Sequence, residues 1–490
     1  MRRRDWLGLA ALSPWSGVRA QTAPRCDVED PGWRLRDRVG LAATPLGPDD
    51  PREPDAWLQA QLAPRGPGWS AAVQTTTDSL LVSRLGAGAV LEEIAKLRSS
   101  EGRKDSREFA RELMQQASQR ALLRAAGSRH PLVEQCVWFW FNHFNVAGAG
   151  PVLPGLVGDM EERCIRPHVL GSFREMLEAV ITHPAMLIYL NNDRNVAGRI
   201  NENLARELLE LHTLGVDGGY TQADVQEVGK VLTGLGVSGD GRPGKARPGK
   251  PDQSFHEGAS RFDLRLHAKG ERTVLGRPLG GQGWQAMQQL LDRLVAHPAT
   301  ARHIARKLCL YWVGDQPPVE LVDSVAQAFR DSQGQLGRTT AHLLRHPAFT
   351  RSLGQQFRSP WQFLVGGARW CLHVDPRPLQ AERLRPMLSA LGQGLYQRST
   401  PDGYPLDSAA WQGSGQLAAR FEVARDLAAG LPFKAPASDA PLIPVDITAG
   451  GAWACTRARL APDTLAALEK ASSRAQRTAL FLASPDFMRR

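Results

Sequence analysis

Apolar residues recur every three to four positions through most of this sequence, a period that restricts the chain to a fold of packed amphipathic helices. Glu108–Ala125, Leu132–Phe144, Phe173–Thr182, Asn203–Leu214, Ala223–Leu232, Ala301–Trp312, Glu320–Arg330 and Leu417–Ala428 all carry it. Ser172 with Glu175, and Thr221 with Asp224, have the spacing of capping boxes at two helix starts. His130-Pro131, His183-Pro184, His297-Pro298 and His346-Pro347 mark joints, because proline expels the residue before it from helical geometry and suits the first turn of the next helix. The histidines are expected near the terminal carbonyls of the preceding helix, as joint residues rather than ligands. The joints hint at a repeated helix pair, but their irregular spacing does not describe a solenoid.

The expected fold is therefore all-α: one multi-helix domain over 36–490, after a leader at 21–35 and a terminal segment at 1–20. The one clear interruption is Gly236–Ser260, rich in Gly, Pro and Lys, which reads as a mobile surface loop. Beyond it, Phe262–Leu266 and Thr273–Leu275 flank a turn and predict one small β-hairpin.

Net charge is +10, but 51 of the 60 basic residues are arginine and they are scattered. A nucleic-acid partner would need them on one continuous face, so none is expected. No run of 18 uncharged apolar residues exists, so no transmembrane segment is expected. Arg2-Arg3-Arg4-Asp5-Trp6-Leu7, an apolar stretch to Leu12, and Val18 and Ala20 ahead of a cut after Ala20 describe a twin-arginine-like export signal. That places the chain in the periplasm or outside the cell. Asp5 and Pro14 would also fit an ordinary basic N-terminus of a cytoplasmic protein. Of six cysteines, Cys136, Cys164, Cys309 and Cys371 lie in apolar patterns and read as buried free thiols, leaving Cys26 with Cys455 as the only pair to test. No Cys-x-x-Cys pair is present.

The densest polar constellation is Asn201–His212. At about 100° per residue, Asn203, Arg206, Glu207 and Glu210 share one stripe of a helix whose leucines fill much of the rest. Either the stripe is solvated, with an Arg206–Glu210 ion pair, or it faces a polar cavity where two carboxylates hold a metal or move a proton. Asp224 is explained as a capping acid, whereas Glu227, one turn on, is not. In Trp138–Asn145, Asn142 and His143 are polar members of an aromatic run that reads as core, so His143 is either a satisfied core histidine or part of a site. The candidate catalytic residues are Glu207, Glu210, Arg206 and His143. The candidate metal ligands are Glu207, Glu210, Glu227 and His267, a set whose ligand types suit Mn, Fe or Zn, with no cofactor specified. Gly-x-Ser-x-Gly, His-Glu-x-x-His, Walker and Gly-x-Gly-x-x-Gly motifs are absent.

Taken in order, several segments resemble the bacterial domain-of-unknown-function family numbered 1800. They are Asp55–Leu62, Trp140–Phe144, Asn201–Thr221 with Asp224-Val225 and Leu232-Thr233-Gly234, His267 with Leu275-Gly276, His297–Ala301 with Lys307-Leu308, Arg358-Ser359-Pro360, Gly392-Gln393, Asp402–Pro405, Trp411 and Ala483–Phe487. Four positions depart from the family pattern: Ala268 replaces the acid of a His-Asp pair, His212 an aromatic, Leu235 a tryptophan and Arg358 a lysine. If that His-Asp pair were essential, Ala268 would mark an altered or inactive member. The resemblance implies a helical fold, frequent export and a frequent genomic companion from the family numbered 1501, which looks like the alkaline-phosphatase and sulfatase superfamily. It implies no established reaction. Two readings stay open: an exported protein acting with that companion, and an enzyme whose carboxylate and histidine site lies on the 201–227 helices.

Overall fold

The computed structural model describes residues 30, 32–44, 46, 50–66, 68–238, 255–257, 259–374, 377–434, 442–448 and 452–490. The export signal at 1–20, most of the leader and Cys26 lie outside the described residues. The end of the expected leader is already helical, in Trp33–Val39.

The fold is all-α. Periodic segments become helices at Arg103–Gly127, Pro131–His143, Phe173–Thr182, Gln222–Val231, Pro298–Trp312, Val319–Asp331 and Ser414–Ala428. No helix among the described residues is long and apolar enough to cross a membrane. Thr221 and Asp224 form the full reciprocal capping box, whereas Ser172 supplies only the hydroxyl half of one.

The joint histidines work from the other side of the break than expected. His183, His297 and His346 are N-caps of the following helix, their Nδ1 atoms accepting the backbone N–H of Ala185, Ala299 and Ala348 at 3.1, 3.2 and 3.2 Å. Proline at the first helical position has no N–H, so the first donor in need of a partner belongs to the residue after it, within reach of the imidazole. His130 occupies the same position without a side-chain cap bond.

The single expected hairpin is two small sheets. Strands β1 (Leu235–Val237), β2 (Phe255–Glu257) and β3 (Ser260–Phe262) form an antiparallel sheet in the order β1-β3-β2, so both flanks of the expected 236–260 loop are strands; its middle lies outside the described residues. Thr273 belongs to a separate hairpin, β4 (Arg272–Val274) with β5 (Arg277–Leu279), and does not pair with Phe262. Phe262 is drawn to β1 because its ring is fully buried there, in contact with the His267 ring.

The core centres on Pro131–His143, a mostly aromatic and aliphatic helix buried on nearly every side, its polar Glu134, Gln135, Asn142 and His143 included. Trp138 stacks between Tyr311 and Trp361, with centroids at 5.7 and 5.6 Å, and Trp140 packs on Phe173 at 5.5 Å. Cys136, Cys164, Cys309 and Cys371 are buried free thiols, as expected, and Cys455 is disulfide-bonded.

Gln135, on this helix, is fully buried and uses both ends of its amide. Its Nε2 donates to the carbonyls of Arg38 and Val39 at 3.0 and 2.8 Å. Its Oε1 accepts from Tyr311 Oη at 3.1 Å and Arg490 Nη1 at 2.6 Å. One side chain thus joins the Trp33–Val39 helix, the Pro298–Trp312 helix and Arg490. Gln135→Met keeps the volume but strands several buried donors and acceptors, and is expected to lower the unfolding free energy by about 3 kcal/mol. Urea unfolding measures it; a loss below about 1 kcal/mol would show that these segments are held by packing alone.

Candidate functional site

The Asn201–His212 stripe is not one continuous α-helix. Asn203–Glu207 is α-helical and Leu208–Thr213 is a π-helix. Leu214 N–H closes onto Leu209 O at 2.8 Å, and the Thr213 hydroxyl donates to Leu208 O at 2.6 Å. The wider turn ends the 100° stepping after Glu207, so Glu210 departs from the stripe that an ideal helix would give it. Arg206 accordingly does not pair with Glu210. It donates to Glu202 Oε2 at 3.3 Å and Gln222 Oε1 at 2.9 Å, tying this segment to the Gln222–Val231 helix. Asn203 is exposed.

Two of the four candidate metal ligands face a different neighbourhood. Glu227 pairs with Lys230 at 2.7 Å and reaches Arg272 at 3.9 Å. His267 donates from Nδ1 to Thr233 O at 2.9 Å, and Ala268 N–H donates to Thr233 Oγ1 at 2.8 Å. The anchoring of His267 is complete without a carboxylate at 268. Among the described residues, no group of three or more His, Cys, Asp or Glu side chains is arranged to hold a metal ion.

Glu207 and Glu210 meet a different set of groups. Glu210 accepts from Tyr220 Oη at 3.2 Å, whereas Glu207 is half-buried with no hydrogen-bond partner among the described residues. Burial, reinforced by Glu210 and Asp402 and opposed by Arg206, raises the Glu207 carboxyl above its ordinary range. Burial beside Glu207 and Asp402 also pushes Tyr189 up to about 12.

Asp402 reaches this face through the polar residues of the aromatic helix. Asn142 Oδ1 accepts Tyr404 N–H at 2.7 Å while its Nδ2 donates to Tyr404 O at 3.0 Å. Asn145 Nδ2 donates to the carbonyls of Arg398 and Thr400 at 3.0 and 2.7 Å. Gly403 is required for the fit: at φ 78°, a Cβ would lie 2.1 Å from Asn142 O. Asp402 is thereby held between Arg398, at 3.0 Å, and the Thr400 hydroxyl.

Behind the carboxylates lie three imidazoles and an amine. His143 Nε2 donates to His212 O at 3.2 Å, and His303 Nε2 donates to Leu211 O at 3.0 Å. Both carbonyls end the π-helix and lack intrahelical partners, so the two rings cap them. His143 is thus a core histidine satisfied at Nε2, with its buried Nδ1 left without a partner. His212 is fully buried, and among the described residues neither ring nitrogen makes a hydrogen bond of good geometry. Lys307 follows His303 by one helical turn; it is partly buried and makes no hydrogen bond or ion pair among the described residues. Burial lowers its amine to about 8, against the pull of Asp402.

The sequence patterns do not mark His303, Lys307 or Asp402 as candidates; the latter two enter only through the family likeness. A signal was present, since His303 and Lys307 lie four apart on a helix whose flanking positions Ile304, Ala305 and Leu308 are apolar. Asp402 carries no such periodic signal.

Burial holds His212 down to about 3 and His303 to about 4, with Lys307 adding to both shifts, and His143 well below its ordinary value for the same reasons. As pH falls below about 6.5, the unfolded chain takes up these protons while the folded chain refuses them. Stability is therefore full above that pH and drains downward, by about 1.4 kcal/mol per pH unit for each such histidine. His212→Phe, which removes two buried ring nitrogens, is expected to leave stability at pH 7 intact and to make the acid slope shallower by that amount. Denaturant titrations between pH 7 and 4 measure it, and an unchanged slope would mean that His212 titrates normally.

No curated protein and no solved structure matches the chain. The model of the family described as Protein of unknown function (DUF1800) matches residues 34–489, nearly the whole sequence, and the chain belongs to that family.

Proposed function

We propose that this protein carries out general acid–base chemistry at the face formed by Glu207, Glu210, Asp402 and Lys307. The observation that carries the reading is Lys307, a partly buried amine with no hydrogen bond or ion pair among the described residues, and Asp402, whose charge acts on both Lys307 and Glu207. Unpaired groups of opposite type with displaced acidities are what proton transfer near neutral pH requires, and such groups concentrate at functional sites. In this reading the neutral amine of Lys307 accepts a proton, and the Glu207 carboxyl, raised above its ordinary range, donates one when it carries it. Burial, with like-charge repulsion from Glu210 adding to it, raises the Glu207 carboxyl. Arg206, bound to Glu202 and Gln222, positions the segment and touches no substrate. The π-turn supports the same reading, since single π-turns occur frequently at functional sites.

Competitive labelling with an amine-reactive anhydride, read by mass spectrometry across a pH series, is expected to show Lys307 titrating near 8. Asp402→Asn removes the anion that favours the ammonium form and is expected to shift that midpoint lower. A Lys307 midpoint in the ordinary lysine range, or one indifferent to Asp402→Asn, would leave no reactive amine and sink the assignment.

The reading places this chemistry outside the cytoplasm, in company with the family numbered 1501. Export is supported by the twin-arginine-like start and by disulfide-bonded Cys455, since stable disulfides belong to oxidising compartments. The companion is supported by the family likeness over residues 34–489. Mild periplasmic extraction is expected to recover the mature chain with its companion, and Arg3→Lys with Arg4→Lys is expected to retain it inside the cell. Recovery of the chain alone would remove the companion, and a cytoplasmic location for the unaltered protein would remove export.

A further inference from the structure

A second site lies away from Lys307, where the Trp33–Val39 helix meets residues 354–358 and the chain around Pro485–Arg489. A cavity of about 260 Å³ opens there, and its lining includes Arg34, Asp37, Gly354, Arg358, Trp370, Arg459, Phe481, Asp486, Phe487 and Arg489. Trp370, Phe481 and Phe487 make one continuous aromatic wall, with successive centroids 5.0 and 5.4 Å apart.

Four lining residues are cationic and two anionic. The anionic pair is already engaged: Asp37 binds Arg358 at 2.6 Å, and Asp486 accepts from Thr464 Oγ1 at 2.5 Å and Ala461 N–H at 3.2 Å. Arg459 lies over the Trp33 ring at 4.8 Å and donates to Cys455 O. The charge left over is at one turn. Arg34 is exposed and makes no hydrogen bond or ion pair among the described residues, and its Nη1 lies 3.4 Å from where a Gly354 Cβ would stand. Arg489 is exposed on the same turn and donates to Gln355 O at 2.9 Å. Two guanidinium groups thus border the residue 354–355 turn beside an aromatic wall.

We infer that this cavity binds a small aromatic carboxylate, its carboxylate held by Arg34 and Arg489 and its ring lying on Trp370, Phe481 and Phe487. Guanidinium groups match a carboxylate by charge and by paired donors, and aromatic walls reward a flat apolar body over a flexible one. The volume is below that of a drug-sized site, which limits the occupant to about one ring and a short acid arm.

Calorimetric titration of the full chain with 3-phenylpropionate and with its uncharged amide tests the assignment. The acid is expected to bind at least about tenfold more tightly than the amide, a difference worth about 1.4 kcal/mol. Arg34→Gln, at an exposed residue with no bonds to lose, is expected to weaken binding of the acid about tenfold, with Arg34→Lys recovering part of it and Arg84→Gln changing nothing. Equal affinity for acid and amide, no binding of the acid at millimolar concentration, or indifference to Arg34→Gln would each overturn it.

Discussion

A helix wrapped in tryptophan and phenylalanine can be buried only if its own polar side chains find partners inside the protein, and the rest of the structure depends on how Pro131–His143 meets that demand. Glu134, Gln135, Asn142 and the Nε2 of His143, with Asn145 just beyond, are each met by a segment distant in sequence. Glu134 takes a two-pronged pair from Arg166 at 2.9 and 3.0 Å. Gln135 joins Arg38, Val39, Tyr311 and Arg490. Asn142 and Asn145 hold the 398–404 loop, and His143 holds the end of the π-helix. Aromatic packing supplies the drive to bury this helix, and the polar partners decide which segments lie against it.

The arginine excess has a similar inward explanation at several positions. Arg38, Arg358, Arg420 and Arg490 are nearly or fully buried, and most of their bonds go to backbone carbonyls rather than carboxylates. Arg369 gathers the carbonyls of Ala125, Ala126 and Ser128 at the end of the Arg103–Gly127 helix. A guanidinium presents several donors in a plane, so it can satisfy carbonyls from different segments at once where a lysine would offer a single point charge. These residues place part of the basic composition inside the fold.

How much of this was legible in the sequence follows from the range of each interaction. The helices were legible because 3.6-residue periodicity is local; Phe173–Thr182 begins and ends where its pattern does. The Asn203–Thr213 segment was legible as a polar stripe but not as a π-helix, because the change of register depends on tertiary burial of Leu208, Leu209 and His212. The joint histidines were legible as joints, yet their caps required knowing which side of the proline the ring would choose. Strand pairing failed for the same reason: β3 was joined to the wrong partner because 235–237 showed no strand pattern of its own. Asp402 stayed hidden because its position is set by Asn142 and Asn145, more than 250 residues earlier in the chain.

The same long-range clamps explain why the charges around Lys307 do not simply collapse into salt bridges. A flexible lysine beside flexible carboxylates would pair with one of them and lose its displaced acidity. Here Asp402 is committed to Arg398 and Thr400 on a loop pinned by two asparagines, Glu210 is committed to Tyr220, and Arg206 is committed to Glu202 and Gln222. The imidazoles near Lys307 are held toward their neutral form by burial and by Lys307 itself, and a neutral imidazole offers the amine no counter-charge. Lys307 and Glu207 are the groups left over. Leaving an amine and a carboxylate partly buried and unpaired costs stability, and that cost is borne by the rigid hydrogen-bonded frame around them rather than by the two groups themselves.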